Sequence, residues 1–383
     1  MNDTDHWNAY LIQLFIPLDI LLISFIIIGV TGNGLIIYIY GFKMKPVKDG
    51  LYFIPYLAVA DLLGSLICSL FGLSMTLMPL TYEFDEFCKF GWLFVSWTTN
   101  MSVFLLVTIA IQRYLKICRR KGPMMTLKWK KIIMVCALIL SAVIAGPSMV
   151  TRGSIPFQIR NKNATGLICG TVNGTVSVIY DGILGVGISL CCALLVIPYC
   201  LIARKTFISL KKGDQSEVEM HTCSKDFDNQ STELSISTFV IEPKSVNNTA
   251  LQGKEQQSSK ITLDMENNSS KNNRNKLKKR PNKLRSTNRK IFSQITKTFM
   301  IITLIFIMCY LPKITITILE TVTTNFWENQ TDVGRLVLMF AHQGYILNNI
   351  ANPFIYTLFD EKFKKICSAK VYLLENIALT FYY

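Results

Sequence analysis

Charge is scarce in this chain: 17% of its 383 residues are Asp, Glu, Lys or Arg, while half are hydrophobic. Several windows carry no charge at all. From Gly91 to Ile111 no residue is charged, and about 20 residues at ~1.5 Å rise each cross a hydrocarbon layer of ~30 Å. A water-soluble chain of this size does not leave several such windows uncharged. Histidine is sparse too, with three scattered residues. No metal-ligand spacing forms around them, and there is no glycine-rich phosphate loop, so no catalytic constellation points to an enzyme. Inverted repeats, or a row of polar residues along one helix, would mark a transporter or channel, and both are missing. No cleavable signal peptide is evident, because MNDTDHWNAY is polar and the apolar run after it is long enough to stay in a membrane. Cysteine is present but not as a disulfide framework: Cys68, Cys136, Cys191, Cys192 and Cys309 lie inside apolar runs, where thiols are ordinary small apolar side chains.

What the chain does have is seven apolar runs, near 14–42, 51–78, 88–117, 130–150, 176–203, 295–319 and 333–358. They predict an all-α membrane protein, a seven-transmembrane helix bundle packed about the third run. Lys and Arg set the orientation. One set of connections carries Lys43, Lys45 and Lys48, then Lys116, Arg119, Arg120, Lys121, Lys128, Lys130 and Lys131, then Lys362, Lys364 and Lys365. The N-terminal tail has none, and the 79–90 connection has only Lys89. The positive-inside rule therefore places the N-terminus outside.

The expected layout is an extracellular tail over 1–13, helices one to five over 14–205, a disordered cytoplasmic loop over 206–290, helices six and seven over 291–358, and a cytoplasmic tail over 359–383. Sequons at Asn2, Asn163, Asn173 and Asn329 fall outside and read as glycosylation sites, whereas those at Asn229 and Asn267 fall inside and should be unused. The 206–290 loop is rich in Ser, Asn, Gln, Glu and Lys and has no apolar periodicity. Its basic end, Lys276 to Lys290, reads as a cluster drawn to anionic lipid rather than to nucleic acid. Asp360 to Ser368 reads as a short amphipathic eighth helix, with Cys367 as a palmitoylation site. The closing VYLLENIALTFYY is unusually apolar for a cytosolic tail.

A set of local motifs runs through these segments in order: Gly32-Asn33, Leu57-Ala58-Val59-Ala60-Asp61, Cys88 with Trp92 and Ser102, Gln112-Arg113-Tyr114, Cys169, Phe306 to Pro312, and Asn348-Asn349 to Asn352-Pro353 and Tyr356. Together they resemble a class A (rhodopsin-like) G-protein-coupled receptor, of a divergent kind. The resemblance implies heterotrimeric G proteins as partners, with arrestin, a receptor kinase and membrane lipids beside them and no nucleic acid. It implies that Arg113, with Gln112, Tyr114, Tyr199, Phe306, Tyr310, Pro312, Asn352, Pro353 and Tyr356, carries activation and coupling. It implies a Cys88–Cys169 disulfide over the mouth of helix three. It also implies an allosteric Na⁺ held by Asp61, Ser102, Asn348, Asn352 and Asn33, with no other cofactor. An acid inside a membrane helix is costly unless partnered. Pro312 and Pro353 remove backbone hydrogen bonds and kink their helices.

The departures are informative. Gln112 stands where the family has an acid beside the arginine, so Arg113 is expected to lean on neutral acceptors such as Gln112 or Thr296, which grip a guanidinium less firmly. Basal signalling should be raised. Helix four lacks the usual tryptophan near Ala137 and Leu138, helix five has Pro198-Tyr199 but no mid-helix proline near Cys191, and the sixth-helix aromatic is Tyr310.

For the ligand, Val95 occupies the place of an amine receptor's Asp, and Ile346 that of an opsin's retinal lysine. One intramembrane charge besides Asp61 stands out, Lys313, with Glu320 further along a similar face. Lys313 would pair either with a ligand carboxylate or peptide C-terminus, or with Glu320 through water. Thr99, His342, Gln343 and Tyr345 would line the same cavity. An acidic rim of Glu83, Asp85, Glu86, Glu320, Glu328 and Asp332 favours a cationic peptide. The best reading is therefore a receptor for a basic peptide (neuropeptide) with a free or amidated C-terminus. The alternatives are an opsin-like photoreceptor using Lys313, or a receptor for a non-amine small molecule.

Overall fold

The computed structural model describes residues 3–43, 51–118, 125–158, 165–172, 174–233, 297–323, 325–361 and 363–368. The chain divides into two compact units, residues 1–203 with 295–383, and residues 204–294. The first unit carries the bundle.

Its helices are α1 (Asp3–Ile36, running on as a π-helical turn Ile37–Lys43), α2 (Ile54–Leu77), α3 (Asp85–Cys118), α4 (Leu127–Ala145) and the short α5 (Ser148–Thr151). The antiparallel hairpin β1 (Arg152–Gln158) and β2 (Thr165–Thr171) follows, and then α6, which spans Thr175–Glu233. The next helix, α7, occupies Lys297–Val322. The last bundle helix comes in two pieces, α8 (Asp332–Gln343) and α9 (Leu347–Phe359), joined by a 3₁₀ turn over Gly344–Ile346. Residues 363–368 form a closing helical segment.

Six helices among the described residues are long and apolar enough to cross a membrane. The seventh crossing is α8 with α9, which the 3₁₀ turn divides into pieces of 12 and 13 residues. The result is a seven-helix membrane bundle with a short terminal helix, as the apolar runs predict.

The logic of each helix is burial on one side and lipid on the other. In α1, Leu11, Phe15, Leu18, Leu22 and Phe25 are buried, whereas Ile16, Ile20, Ile23 and Ile27 are exposed. Both faces are apolar, because a membrane helix satisfies its backbone internally and presents apolar side chains to hydrocarbon. Local chemistry sets the ends. Pro55 sits in the first turn of α2, where no N–H is needed. The Thr331 hydroxyl caps α8 by accepting from the Gly334 amide at 3.1 Å. Gly146 and Pro147 separate α4 from α5.

Two boundaries differ from the sequence reading. α1 begins at Asp3 rather than near residue 14. Its extra turns are held by a separate apolar cluster of Leu11, Phe15, Leu80 and Phe157 with Trp7, Trp327 and Leu336 packed on it, and by Asn8 Oδ1 accepting the Leu80 amide at 3.0 Å. The backbone of α6 also continues past the apolar run, to Glu233. Most of the expected 206–290 loop, its basic end, Thr296 and the apolar tail lie outside the described residues. So do the sequons Asn2, Asn163 and Asn173. Asn329 is exposed.

Candidate functional site

The hairpin end of the bundle is tied to α3 by a disulfide between Cys88 and Cys169, whose Cα atoms are 5.6 Å apart. Register pairs Ser154 with Cys169, so the bridge fixes both strands at once. Asp85 Oδ1 accepts the Ser154 amide at 2.8 Å, and its other oxygen holds Lys89 at 2.5 Å. That carboxylate sits where a Cβ on residue 153 would stand, 2.7 Å from it, which is why the strand carries glycine there.

Beneath the hairpin lies a polar network that composition alone does not reveal. Arg152, at the start of β1, donates from Nη2 to Asp181 Oδ1 of α6 at 2.6 Å, with side chains only 8% and 3% exposed. Its Nη1 donates to the Thr171 hydroxyl, which in turn donates to Glu320 Oε1 of α7 at 3.2 Å. Thr321 donates to the other Asp181 oxygen at 3.3 Å, and the guanidinium lies 5.1 Å over the Trp92 ring. One arginine thus joins the hairpin to α3, α6 and α7.

Lys313 is next to this network but not part of it. Its ammonium lies 3.2 Å from the centroid of the Tyr345 ring, while Glu320 turns to Thr171 instead. The buried His342 ring lies 6.3 Å from Trp92. Gln343 is buried against α2 at Gly72. Thr99 is on the same side as Cys68 and Tyr310, and Val95 is packed in the apolar core.

Lys313 is also not the only charge in the helices besides Asp61, as the sequence reading had it. Asp181 is a second, and Asp19, which accepts from the Thr76 hydroxyl at 2.5 Å, is a third. Each is a lone acid inside an apolar run, the same signal that singles out Asp61, and would have been found by it.

The acidic rim is partly engaged in internal contacts. Asp85, Glu320, Glu328 and Asp332 accept from Ser154, Thr171, the Gln158 amide and Tyr10 respectively. Tyr82, between α2 and α3, shares a 3.1 Å hydrogen bond with Ser74, and burial pushes its phenol up.

At mid-bundle Asp61 is fully buried. Ser102 Oγ donates to one of its oxygens at 2.9 Å and Asn352 Nδ2 to the other at 2.5 Å. The expected cluster therefore assembles at Asp61, Ser102 and Asn352. Asn33 is committed elsewhere: its amide donates to the Asn349 carbonyl at 2.9 Å and the Gly29 carbonyl at 3.1 Å. Pro353 explains the first of these. A proline lacks the N–H that would bond the carbonyl four residues earlier, and four residues before Pro353 is Asn349. Asn33 supplies the missing donor. Gly32 lets the helices close on that kink, since a Cβ there would lie 2.6 Å from Pro353 Cγ.

At the far end Arg113 is 1% exposed, with its guanidinium 5.1 Å from the Phe299 centroid. Tyr199 and Tyr356 stand near it, both buried. Gln112 is buried and Tyr114 half-buried. Phe299, the third described residue of α7, has no part in the sequence reading; nothing in its local sequence marks it. Phe306 packs on Tyr310 at 4.4 Å, and Tyr310 on Tyr345 at 5.9 Å, so aromatic rings lead from the Phe306 level of α7 up to Lys313. The terminal segment is moored at this end. Tyr40 donates to Asp360 at 2.6 Å, Asp360 caps the Phe363 amide at 3.2 Å, and Phe363 is wholly buried between Tyr40 and Tyr356. Cys367 packs half-buried at its end, and burial pushes its thiol up.

A seven-helix bundle with a buried acid at its centre, a buried arginine at one end and a disulfide-tied hairpin at the other is the plan of a seven-helix receptor. Residues 32–356 match the profile of the 7 transmembrane receptor (rhodopsin family), and the chain belongs to that family, a family of receptors rather than enzymes. It is a multi-pass membrane protein.

Among its relatives are the chemerin-like receptor 2 of Rattus norvegicus, 26% identical over 139 residues (36% of this chain, 38% of the relative), and the type-1 angiotensin II receptor of Canis lupus familiaris, 29% identical over 155 residues (40% and 42%). The cholecystokinin receptor type A of Mus musculus is 32% identical over 160 residues (39% and 35%). The matched stretch spans about two-fifths of those relatives' length.

Proposed function

We propose that this chain is a plasma-membrane receptor, N-terminus outside, that takes an extracellular peptide at the Lys313 end and signals to heterotrimeric G proteins at the Arg113 end. Arrestin, a receptor kinase and anionic lipid are the expected further partners, with residues 206–290 and 359–383 on the cytoplasmic side. The observation that carries the reading is the burial of Arg113 against Phe299 at the end of the bundle opposite the disulfide-tied hairpin. A guanidinium stacked on an aromatic face is held by cation–π attraction, ~2 kcal/mol or more when desolvated. It is released if the Phe299 end of α7 moves aside. Pro312 and Pro353 supply the bends about which α7 and α9 can swing.

Relatives named for angiotensin II and cholecystokinin support a peptide ligand. So does the absence of an acid at Val95, which leaves an amine without its usual partner. The rim is less free for a cationic ligand than its sequence suggests, since four of its carboxylates already accept hydrogen bonds. A Na⁺ fits at Asp61: the carboxylate and Ser102 are oxygen donors, and Asn352 Oδ1 is buried without a hydrogen-bond partner among the described residues. The ion would bind Asp61, Ser102 and Asn352, with Asn33 and Asn348 beside them, and would supply a counter-charge that holds this centre closed.

The test is second-messenger output in cells, at matched surface expression. Arg113→Ala is expected to abolish wild-type output; retained output would remove the coupling role. Gln112→Glu places a carboxylate beside Arg113, and ligand-free output is expected to fall, with an unchanged or higher basal level counting against a weakly held arginine.

A further inference from the structure

The groups around Lys313 are unbalanced in a specific way: two of them can only donate. Lysine donates and cannot accept, and indole N–H likewise only donates. Lys313 has a ring face beneath it and no carboxylate within ion-pair distance among the described residues. One more buried polar atom on the same side of the bundle, Trp92 Nε1, has no hydrogen-bond partner among the described residues, while the Thr99 and Tyr310 hydroxyls face each other.

These groups form one neighbourhood. Tyr310 and Tyr345 pack ring to ring, Thr99 and Lys313 both border Cys68, and His342 adjoins both Trp92 and Lys313. The nearby acids are engaged, Asp181 by Arg152 and Thr321, and Glu320 by Thr171. Among the described residues no carboxylate pairs with Lys313. Holding a half-buried cation and a buried indole N–H without an acceptor is costly, and such a surplus marks where something else completes the set.

From this we infer that Lys313, with Trp92, Thr99 and Tyr310 around it, is a carboxylate-binding subsite, so the ligand enters with a free carboxylate foremost and an amidated end is rejected. The inference rests on the receptor reading for its setting, but not on G-protein coupling. Arg152 does not compete for the carboxylate, because Asp181 already neutralises it at 2.6 Å. An amide in place of the carboxylate would leave the ammonium unpaired and bring another donor to a site already rich in donors.

The experiment measures ligand-induced thermal stabilisation of the purified full-length receptor in lipid nanodiscs. The probes are a peptide pool made in matched free-acid and C-terminal-amide forms, and straight-chain carboxylic acids of four to eighteen carbons. The expected result is stabilisation by free acids and not by amides, weakened roughly 30-fold or more by Lys313→Gln and partly restored in Lys313→Arg. Response to the peptide acids alone identifies a peptide C-terminus as the source; response to the simple acids identifies an organic acid.

Equal responses to acids and amides would overturn the inference. So would a Lys313→Gln receptor that responds like the wild type, or a wild type that responds to no acid. If Lys313→Gln fails to fold, Trp92→Phe, which removes only the indole N–H, must still weaken the acid response several-fold. Stabilisation by acids with no second messenger in cells would overturn the coupling reading and leave this one standing.

Discussion

Asp181→Ala is expected to lower the apparent melting temperature of the receptor by about 5 °C and to cut its surface expression. Removing one partner of a buried ion pair strands the other, at a cost of about 3–5 kcal/mol, and at ~2.1 cal/mol/K per residue each kcal/mol moves the midpoint of a chain this long by roughly 1 °C. The Arg152 and Asp181 side chains are 8% and 3% exposed, so water cannot rescue the stranded guanidinium. The loss should be non-additive. Arg152→Met alone should cost about as much as Asp181→Ala, and the double variant Arg152→Met with Asp181→Leu should recover much of it, because no buried charge is then left alone. Strict additivity of the two single losses would show that the pair is not coupled. Since Arg152 also reaches Thr171 and stacks on Trp92, both single variants should loosen the hairpin as well, visible as faster hydrogen exchange over β1 and β2.

The second large effect lies at the Pro353 kink. Gly32→Val puts a branched side chain where even a Cβ would stand 2.6 Å from Pro353 Cγ and 3.0 Å from Pro353 Cβ, so α1 and α9 must separate. Overpacking of this kind costs ~1–3 kcal/mol or more. Separation would also pull Asn33 from the Asn349 carbonyl, adding about 1–3 kcal/mol for a buried acceptor left empty. Loss of most surface receptor is the expected outcome, with Asn33→Ala giving the smaller share. Gly34→Ala is the control, since a Cβ there meets nothing within 4 Å. It should be neutral or slightly stabilising, because alanine favours helix over glycine. A Gly34 variant as damaged as Gly32→Val would mean that helix one resists substitution generally, not at this contact.

The bundle is legible from the sequence because its signal is local: a window without charge is a window in any context. The central acid is legible for the same reason, since a lone Asp61 in an apolar run is visible without knowing its neighbours. That signal reaches Asp19 and Asp181 equally, and what it cannot supply is the partner. Arg152 and Asp181 are brought together by the turn of the hairpin onto α6, and their pairing exists only in three dimensions. Asn33 shows the same limit in another form. The resemblance places it beside Asp61, while the structure commits its amide to the Asn349 carbonyl that Pro353 leaves empty, a role that follows from backbone arithmetic once the two helices touch. Phe299 under Arg113 had no sequence mark, because an aromatic at the end of an apolar helix is ordinary in every respect except its position.

The 3₁₀ turn at Gly344–Ile346 divides the final helix into pieces each too short to span a bilayer alone. Among the described residues six unbroken helices are long and apolar enough to cross, and six is even. Counted with α8 and α9 as one path, the chain crosses seven times, and an odd number puts the two ends in different compartments. Epitope tags ahead of α1 and after residue 368 should be stained on opposite faces of intact cells, one without permeabilisation and the other only after it.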